Sequence, residues 1–223
     1  MRVAPSLLLA ALLPLFAGCQ MFAEKTSVST AGMTRLQGEL KAEGGKLLFQ
    51  PCEEHRRFVI QDSGNTSLLQ EAATLASKPG VLFADVRGTL STSNGNGNDG
   101  QFNVHQLYRV ERSNSACSDP NFKRLTLRAS GHEPDWSVKV SGKGMVLDRP
   151  QEASLALPYL EEQLPDGRFN LSSEANGQRV ELWVAPQRCV DSATGAVQHL
   201  SAELRINGKT LRGCGYYGGS RND

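Results

Sequence analysis

The chain of 223 residues has almost no net charge: 24 Lys and Arg stand against 23 Asp and Glu, a formal +1. A polybasic nucleic-acid binder and an acidic interaction tail are thereby excluded as its theme. Long apolar runs are lacking too. The longest, Leu7 to Ala17, is broken by Pro14 and too short to cross about 30 Å of hydrocarbon as a helix. There is no Cys-x-x-Cys pair, and His55, His105, His132 and His199 are scattered with no two at ligand spacing. Met21, Met33 and Met145 form no soft-ligand cluster. No metal or cofactor is expected from these absences. A Gly-x-Ser-x-Gly nucleophile elbow is also missing. Mean hydropathy of −0.35 fits a globule rather than a bilayer-spanning chain, and 22 glycines with 10 prolines fit short strands and many turns.

What is present begins with an export signal. Met1-Arg2-Val3 is a short positive start, the apolar run follows, and Phe16-Ala17-Gly18-Cys19 places small residues before a cysteine. This resembles the bacterial lipobox, with Phe16 where Leu is usual. The resemblance implies cleavage after residue 18 and a covalent lipid on Cys19. Two or more acyl chains hold a domain at a bilayer almost permanently, since each buried methylene contributes about 0.8 kcal/mol. Gln20, rather than Asp, implies sorting to the outer membrane, facing the periplasm. Residues 19–33 lack periodicity and read as a tether. Loss of Arg2 with the leader leaves a formally neutral chain, which argues against long-range electrostatic steering.

Four cysteines remain after Cys19: Cys52, Cys117, Cys189 and Cys214. An even number in an oxidising compartment predicts disulfides. Of three possible pairings, the sequential one, Cys52–Cys117 with Cys189–Cys214, puts one staple in each half. Chain entropy then contributes roughly 4 and 3.5 kcal/mol.

Residues 34–118 read as strands near 36–40, 46–50 and 57–60, a helix over 68–76, and strands over 81–90 and 102–110, with Ser91–Gly100 as a loop. Asn65 or Thr66 is the expected N-cap. Three strands, a helix and two strands is the order of an OB-type five-stranded barrel. Its long loop offers no aromatic platform of the kind single-stranded nucleic acid requires, so a nucleic-acid partner is not expected. A turn cluster, Ser118-Asp119-Pro120-Asn121, begins a second region, 119–218. There, seven short strands near 122–129, 136–140, 144–147, 168–172, 180–184, 200–206 and 210–212 predict a small antiparallel barrel or sandwich. Residues 219–223 are a tail. The expected fold is all-β with one short helix.

Three segments of the second region stand out: Gly131-His132-Glu133-Pro134-Asp135-Trp136, Cys189-Val190-Asp191-Ser192-Ala193-Thr194-Gly195 and Gly213-Cys214-Gly215. They resemble a group of proteobacterial envelope lipoproteins with Gly-x-Glu-Pro-x-Trp, Cys-x-Asp-Ser-x-x-Gly and a terminal Gly-Cys-Gly. The first region resembles, more loosely, the OB-type half of NlpE-like copper-stress lipoproteins. These resemblances imply compartment and fold rather than a reaction. Where the group often carries an aromatic after its Ser-Gly, this chain has Thr194-Gly195-Ala196-Val197, so no activity resting on an aromatic loop tip is implied.

The segments read as structural. Pro134 is expected to hold an extended backbone, Trp136 to fill the core, and Glu133 to pair with Arg128 or Arg188. Asp191 and Ser192 are expected to bond their own turn, with Gly195 completing it. No catalytic residue is expected. The sequence thus predicts a non-enzymatic binding or envelope-stress module moored to the membrane through Cys19. Its alternative is an inhibitor of lysozyme or another cell-wall hydrolase, with Thr194-Gly195 as the inserting loop and Lys209 or Arg212 as cationic partners. A copper-associated role or an enzyme ranks lower.

Overall fold

The structure, a computed structural model, describes residues 30–92, 98–175 and 177–221. The leader, Cys19 and the tether up to residue 29 lie outside the described residues, as do Asn176 and the last two positions of the tail. Among the described residues no helix is long and apolar enough to cross a membrane.

The first five strands are β1 (Thr34–Glu43), β2 (Lys46–Pro51), β3 (Phe58–Asp62), β4 (Leu82–Thr92) and β5 (Gly100–Arg112), with helix α1 (Leu68–Leu75) between β3 and β4. They pair in the order β3-β2-β1-β4-β5. A parallel β3–β5 ladder, from Phe58 opposite Gly100 to Asp62 opposite Val104, closes the barrel. Register shifts after Asp85 and after Arg87 let the long β4–β5 pair bend around it. Leu40, Phe49, Phe58, Ile60, Val86 and Phe102 fill the interior, and Leu68, Ala72 and Leu75 of α1 plug it. Neither Asn65 nor Thr66 is the N-cap residue, although the Thr66 hydroxyl accepts from the Leu68 N–H at 3.4 Å. The N-cap is Ser67 in a left-handed conformation. Asp62 at the end of β3 supplies the carboxylate, accepting from the Thr66 N–H (2.8 Å) and the Leu68 N–H (3.2 Å). The capping oxygen comes from the preceding strand because the chain turns back on it.

The remaining strands are β6 (Leu125–His132), β7 (Asp135–Ser141), β8 (Gly144–Asp148), β9 (Leu155–Leu157), β10 (Leu160–Gln163), β11 (Phe169–Ala175), β12 (Gln178–Val190), β13 (Val197–Ile206) and β14 (Lys209–Tyr217). Residues 122–124, expected to begin a strand, form a 3-10 turn. The short β9 and β10 have too few alternating residues to show in the sequence. All pairings in this sheet are antiparallel, in the order β10-β11-β12-β13-β14-β6-β7-β8-β9. Only Pro158 and Tyr159 separate β9 from β10, a link of roughly 10 Å at full stretch. The two ends of the nine-strand sheet must therefore come together, and the sheet curls around one core containing Trp136, Met145, Leu157, Phe169, Leu182 and Leu204.

The cysteines pair sequentially, Cys52 with Cys117 and Cys189 with Cys214. Strands β12 and β14 flank β13, so in a flat sheet they would lie roughly 9.5 Å apart. The Cα atoms of Cys189 and Cys214 are 5.4 Å apart. Strand β12 bends over β13 after the irregularity between Pro186 and Cys189.

Barrel and curled sheet are joined by Val197 and Gln198 of β13, which pair with Val110 and Arg109 of β5, and by a buried polar network. Both carboxylate oxygens of the fully buried Asp85 accept from Arg35, at 2.8 and 2.7 Å. The same guanidinium donates to the Tyr217 and Gly218 carbonyls (2.7 and 3.0 Å) and lies 3.8 Å from the Tyr108 ring centroid. His199 Nδ1 donates to the Tyr108 carbonyl (2.9 Å). Burial, only partly offset by that bond and reinforced by Arg35, pushes the His199 ring down to about 4. Arg35 thus ties the first strand to the last while Asp85 neutralises it. Asp85→Ala is expected to lower stability by about 3–5 kcal/mol, because a largely buried guanidinium loses its counter-charge. Chemical denaturation of the two proteins measures the difference.

Candidate functional site

The three segments singled out in the sequence meet at one place. His132 and Asp135 face each other across the β6–β7 hairpin, and Glu133–Pro134, joined by a cis peptide bond, form its turn. The extended segment expected here is instead a reversal. Glu133 is exposed at the tip. It does not take the expected arginines: Arg188 pairs with Glu71 of α1, and Arg128 lies beside the Tyr216 hydroxyl. Trp136 is buried at 3% exposure. Its indole rests on two glycines from different segments. A Cβ on Gly131 would lie 2.5 Å from Trp136 Nε1, and one on Gly213 would lie 2.9 Å from its Cζ2. The Gly-x-Glu-Pro-x-Trp and Gly-Cys-Gly patterns are two sides of one packing site.

The middle segment is organised by Asp191, a buried carboxylate. Its Oδ1 accepts from the Ala193 N–H (3.1 Å), the Thr194 N–H (2.8 Å) and the Thr194 hydroxyl (2.7 Å). The Gly195 N–H donates to the Asp191 carbonyl, and the Asp191 N–H to that of Ala196. Gly195 has a φ of +74°, a conformation side-chain-bearing residues rarely adopt. Ser192 is exposed. Arg112 donates to both the Leu75 and the Thr194 carbonyls (3.0 and 2.9 Å), so this turn sits on the end of α1.

Asp191 Oδ2 accepts from His132 Nε2 at 2.9 Å, while His132 Nδ1 donates to Asp135 Oδ1 at 3.0 Å. Carboxylates facing both ring nitrogens favour the doubly protonated form, in which each nitrogen donates. Burial opposes that charge, but Asp135 and Asp191 outweigh it and raise the His132 pKa above its ordinary value. For Asp191, burial is likewise outweighed, by Thr194 and His132, and its pKa is lowered. Both ring nitrogens of His132 are engaged by carboxylates, and neither is bonded to Ser192. Among the described residues no group of His, Cys, Asp and Glu is placed to hold a metal ion.

Beside this junction the outer face of β12–β14 forms an open cleft of about 960 Å³. Its floor is small: Ala185, Ser201, Gly213 and the Cys189–Cys214 bridge. Around it stand Arg168, Arg188, Arg205, Arg212 and Trp183. Arg205 lies 4.9 Å from the Trp183 ring centroid and bonds Glu203 (2.8 Å). Arg212 is 86% exposed, and its nearest carboxylate is Glu203 at 3.8 Å. Of these, only Arg212 is expected from the sequence as a binding residue, a cationic partner in the inhibitor alternative; the cleft itself is not expected. Their signal was the polar alternation of Glu181, Trp183, Ala185 and of Ser201, Glu203, Arg205 on the sheet face away from the core, which period-two reading assigns only to solvent.

Two outcomes follow from the junction. The His132–carboxylate bonds add stability that is full below about pH 6.5 and fades as pH rises through the elevated folded-state pKa. Ring-proton NMR is expected to show His132 titrating above 6.5 in the native protein and lower in Asp135→Asn. Separately, Gly131→Ala is expected to cost about 1–3 kcal/mol by overpacking Trp136 and the Arg212 carbonyl, read as a lowered melting temperature with a changed near-ultraviolet tryptophan signal.

No protein-family model matches the chain, and no curated protein or solved structure is detectably similar to it.

Proposed function

We propose that the protein is a non-enzymatic binding module of the bacterial envelope. In this reading it is held by a lipid on Cys19 to the outer membrane, facing the periplasm, and its partner seats in the arginine-rimmed cleft over β12–β14. The observation that carries the reading is a division of labour. The residues of catalytic type that come together, His132 and Asp191, are used up in bonds to their own turn and hairpin, whereas the neighbouring cleft is open and polar. Its volume lies within the range of small-molecule sites and its floor would admit a flat or extended segment. Four arginines favour an acidic partner, through planar paired hydrogen bonds. Two disulfides suit an oxidising compartment, and the Phe16-Ala17-Gly18-Cys19 leader and three-segment resemblance point the same way.

The hydrolase-inhibitor alternative needs a loop free to enter an enzyme's cleft. Thr194-Gly195 is held instead: Arg112 binds the Thr194 carbonyl, and Gly195 packs near Leu75. The partner question is answered by a photo-crosslinking side chain placed at Ser201 on the cleft floor and, as control, at Lys46 on the barrel, in cells of the native host. An envelope-protein adduct is expected at Ser201 alone, diminished roughly tenfold when Arg205 and Arg212 are both changed to Glu. A cell-wall hydrolase as the adduct would favour the inhibitor reading. Equal labelling at both positions would refute the cleft as the binding surface.

A further inference from the structure

A second cleft, of about 610 Å³, lies between barrel and curled sheet, lined by Arg109, Glu111, Arg128, Ser130, Gln198 and Tyr216. Ser130, His132 and Asp191 border both clefts. Two side chains at its base are more than nine-tenths buried and keep polar atoms without a protein partner among the described residues: Nε and Nη2 of Arg109 and Oε1 of Gln198. The Arg109 guanidinium lies 4.6 Å from the Phe83 centroid and 4.1 Å from that of Tyr216. Ring faces attract a cation without neutralising it. Only Nη1 meets a carboxylate, Glu111 at 3.0 Å.

Arg128 faces Tyr216 across the β6–β14 ladder and is half-buried. No carboxylate pairs with it among the described residues. Asp148 feels its charge, but that carboxylate is bonded to Lys139 and Ser154. His132 is bonded to two aspartates of its own, Asp135 and Asp191, and Asp119, also on the lining, accepts from the Asn121 N–H. At the base of the cleft Arg109 and Arg128 face a single carboxylate, Glu111, while the acids elsewhere on the lining, Asp119 and Asp191, are bonded within their own turns.

We infer that this cleft binds an oxyanion, a carboxylate or phosphate ester, carried by a hydroxylated ligand of metabolite size. Arg128 supplies the paired donors that planar oxyanions take, Ser130 and Gln198 meet hydroxyl groups, and Arg109, sealed between its rings, supplies a fixed positive field. The site does not depend on what occupies the outer cleft.

Calorimetric titration of the full chain with glucuronate, glucose 6-phosphate and uncharged glucose tests this. One or both anions are expected to bind at millimolar concentration or below, glucose at least about tenfold more weakly, and the better anion tells carboxylate from phosphate. Arg128→Gln is expected to weaken anion binding about tenfold or more, and Arg128→Lys, which keeps the charge without the fork, to fall between. Arg212→Gln in the outer cleft is expected to leave it unchanged. Binding of glucose as tight as that of the anions, no binding by any of the three, or full affinity in a folded Arg128→Lys or Arg128→Gln protein would overturn the inference.

Discussion

A carboxylate removed from water must be given donors or it will not stay charged, and the buried Asp191 imposes that condition on everything around it. One oxygen is satisfied locally, by the backbone and hydroxyl of the turn it starts. The other is satisfied only if β6 delivers His132 from 59 residues away. His132 in turn is positioned by the β6–β7 hairpin, and that hairpin by Trp136 lying on Gly131 and Gly213. The Cys189–Cys214 bridge closes the same circuit covalently. Each segment needs the others in place, which explains why three separated patterns form one structural unit. Removing any member leaves a buried group unsatisfied or a ring unsupported.

The same turn is also the joint between the two halves. Past Asp191, the chain runs through Ala196 into Val197, whose side chain belongs to the barrel core although its strand belongs to the curled sheet. Arg112 and Arg188 hold the turn and the end of β12 to α1. Arg35 performs the equivalent task elsewhere along the joint, linking β1 to the carbonyls of Tyr217 and Gly218. Arginine suits this work because one planar group can satisfy several acceptors and still lie flat on a ring. Polar joints of this kind fix relative position more strictly than an apolar seam, since a shift of an ångström breaks a directional bond whereas apolar contacts tolerate sliding.

Local periodicity made most of the fold legible. Alternation marks β1 to β5, the shift to helical spacing marks α1, and their order alone points to the closed barrel. Cysteine parity indicated two bridges. What escaped was non-local or too short. β9 has three residues, below the length at which alternation can be distinguished from chance. Asp62 caps α1 from outside the four-residue window that a capping pattern covers. The Arg35–Asp85 and His132–Asp191 pairs join residues 50 and 59 positions apart, and no local rule links them. For the junction, the sequence identified its members without showing that they touch. For the clefts, it showed polar residues on outward strand positions, and only the curvature of the sheet turned those positions into concave surfaces.

Net charge is a sum, and the disposition of charges here shows why a sum is a poor guide to local field. Formal neutrality argued against electrostatic attraction, and at distances beyond the Debye length of roughly 8–10 Å that argument stands. Within that distance the acids and bases are not distributed alike. Asp62, Asp85 and Asp191 are turned inward to cap a helix, neutralise Arg35 and build a turn. Arginines with few or distant counter-charges, Arg128 and Arg212 among them, line the concave surfaces. Acids are spent on architecture because compact carboxylates satisfy backbone donors well. Arginines remain at the clefts because their long stems cover apolar surface while their heads stay within reach of solvent. A chain of formal charge only +1 thereby places arginines on two concave surfaces without the self-repulsion of a basic protein.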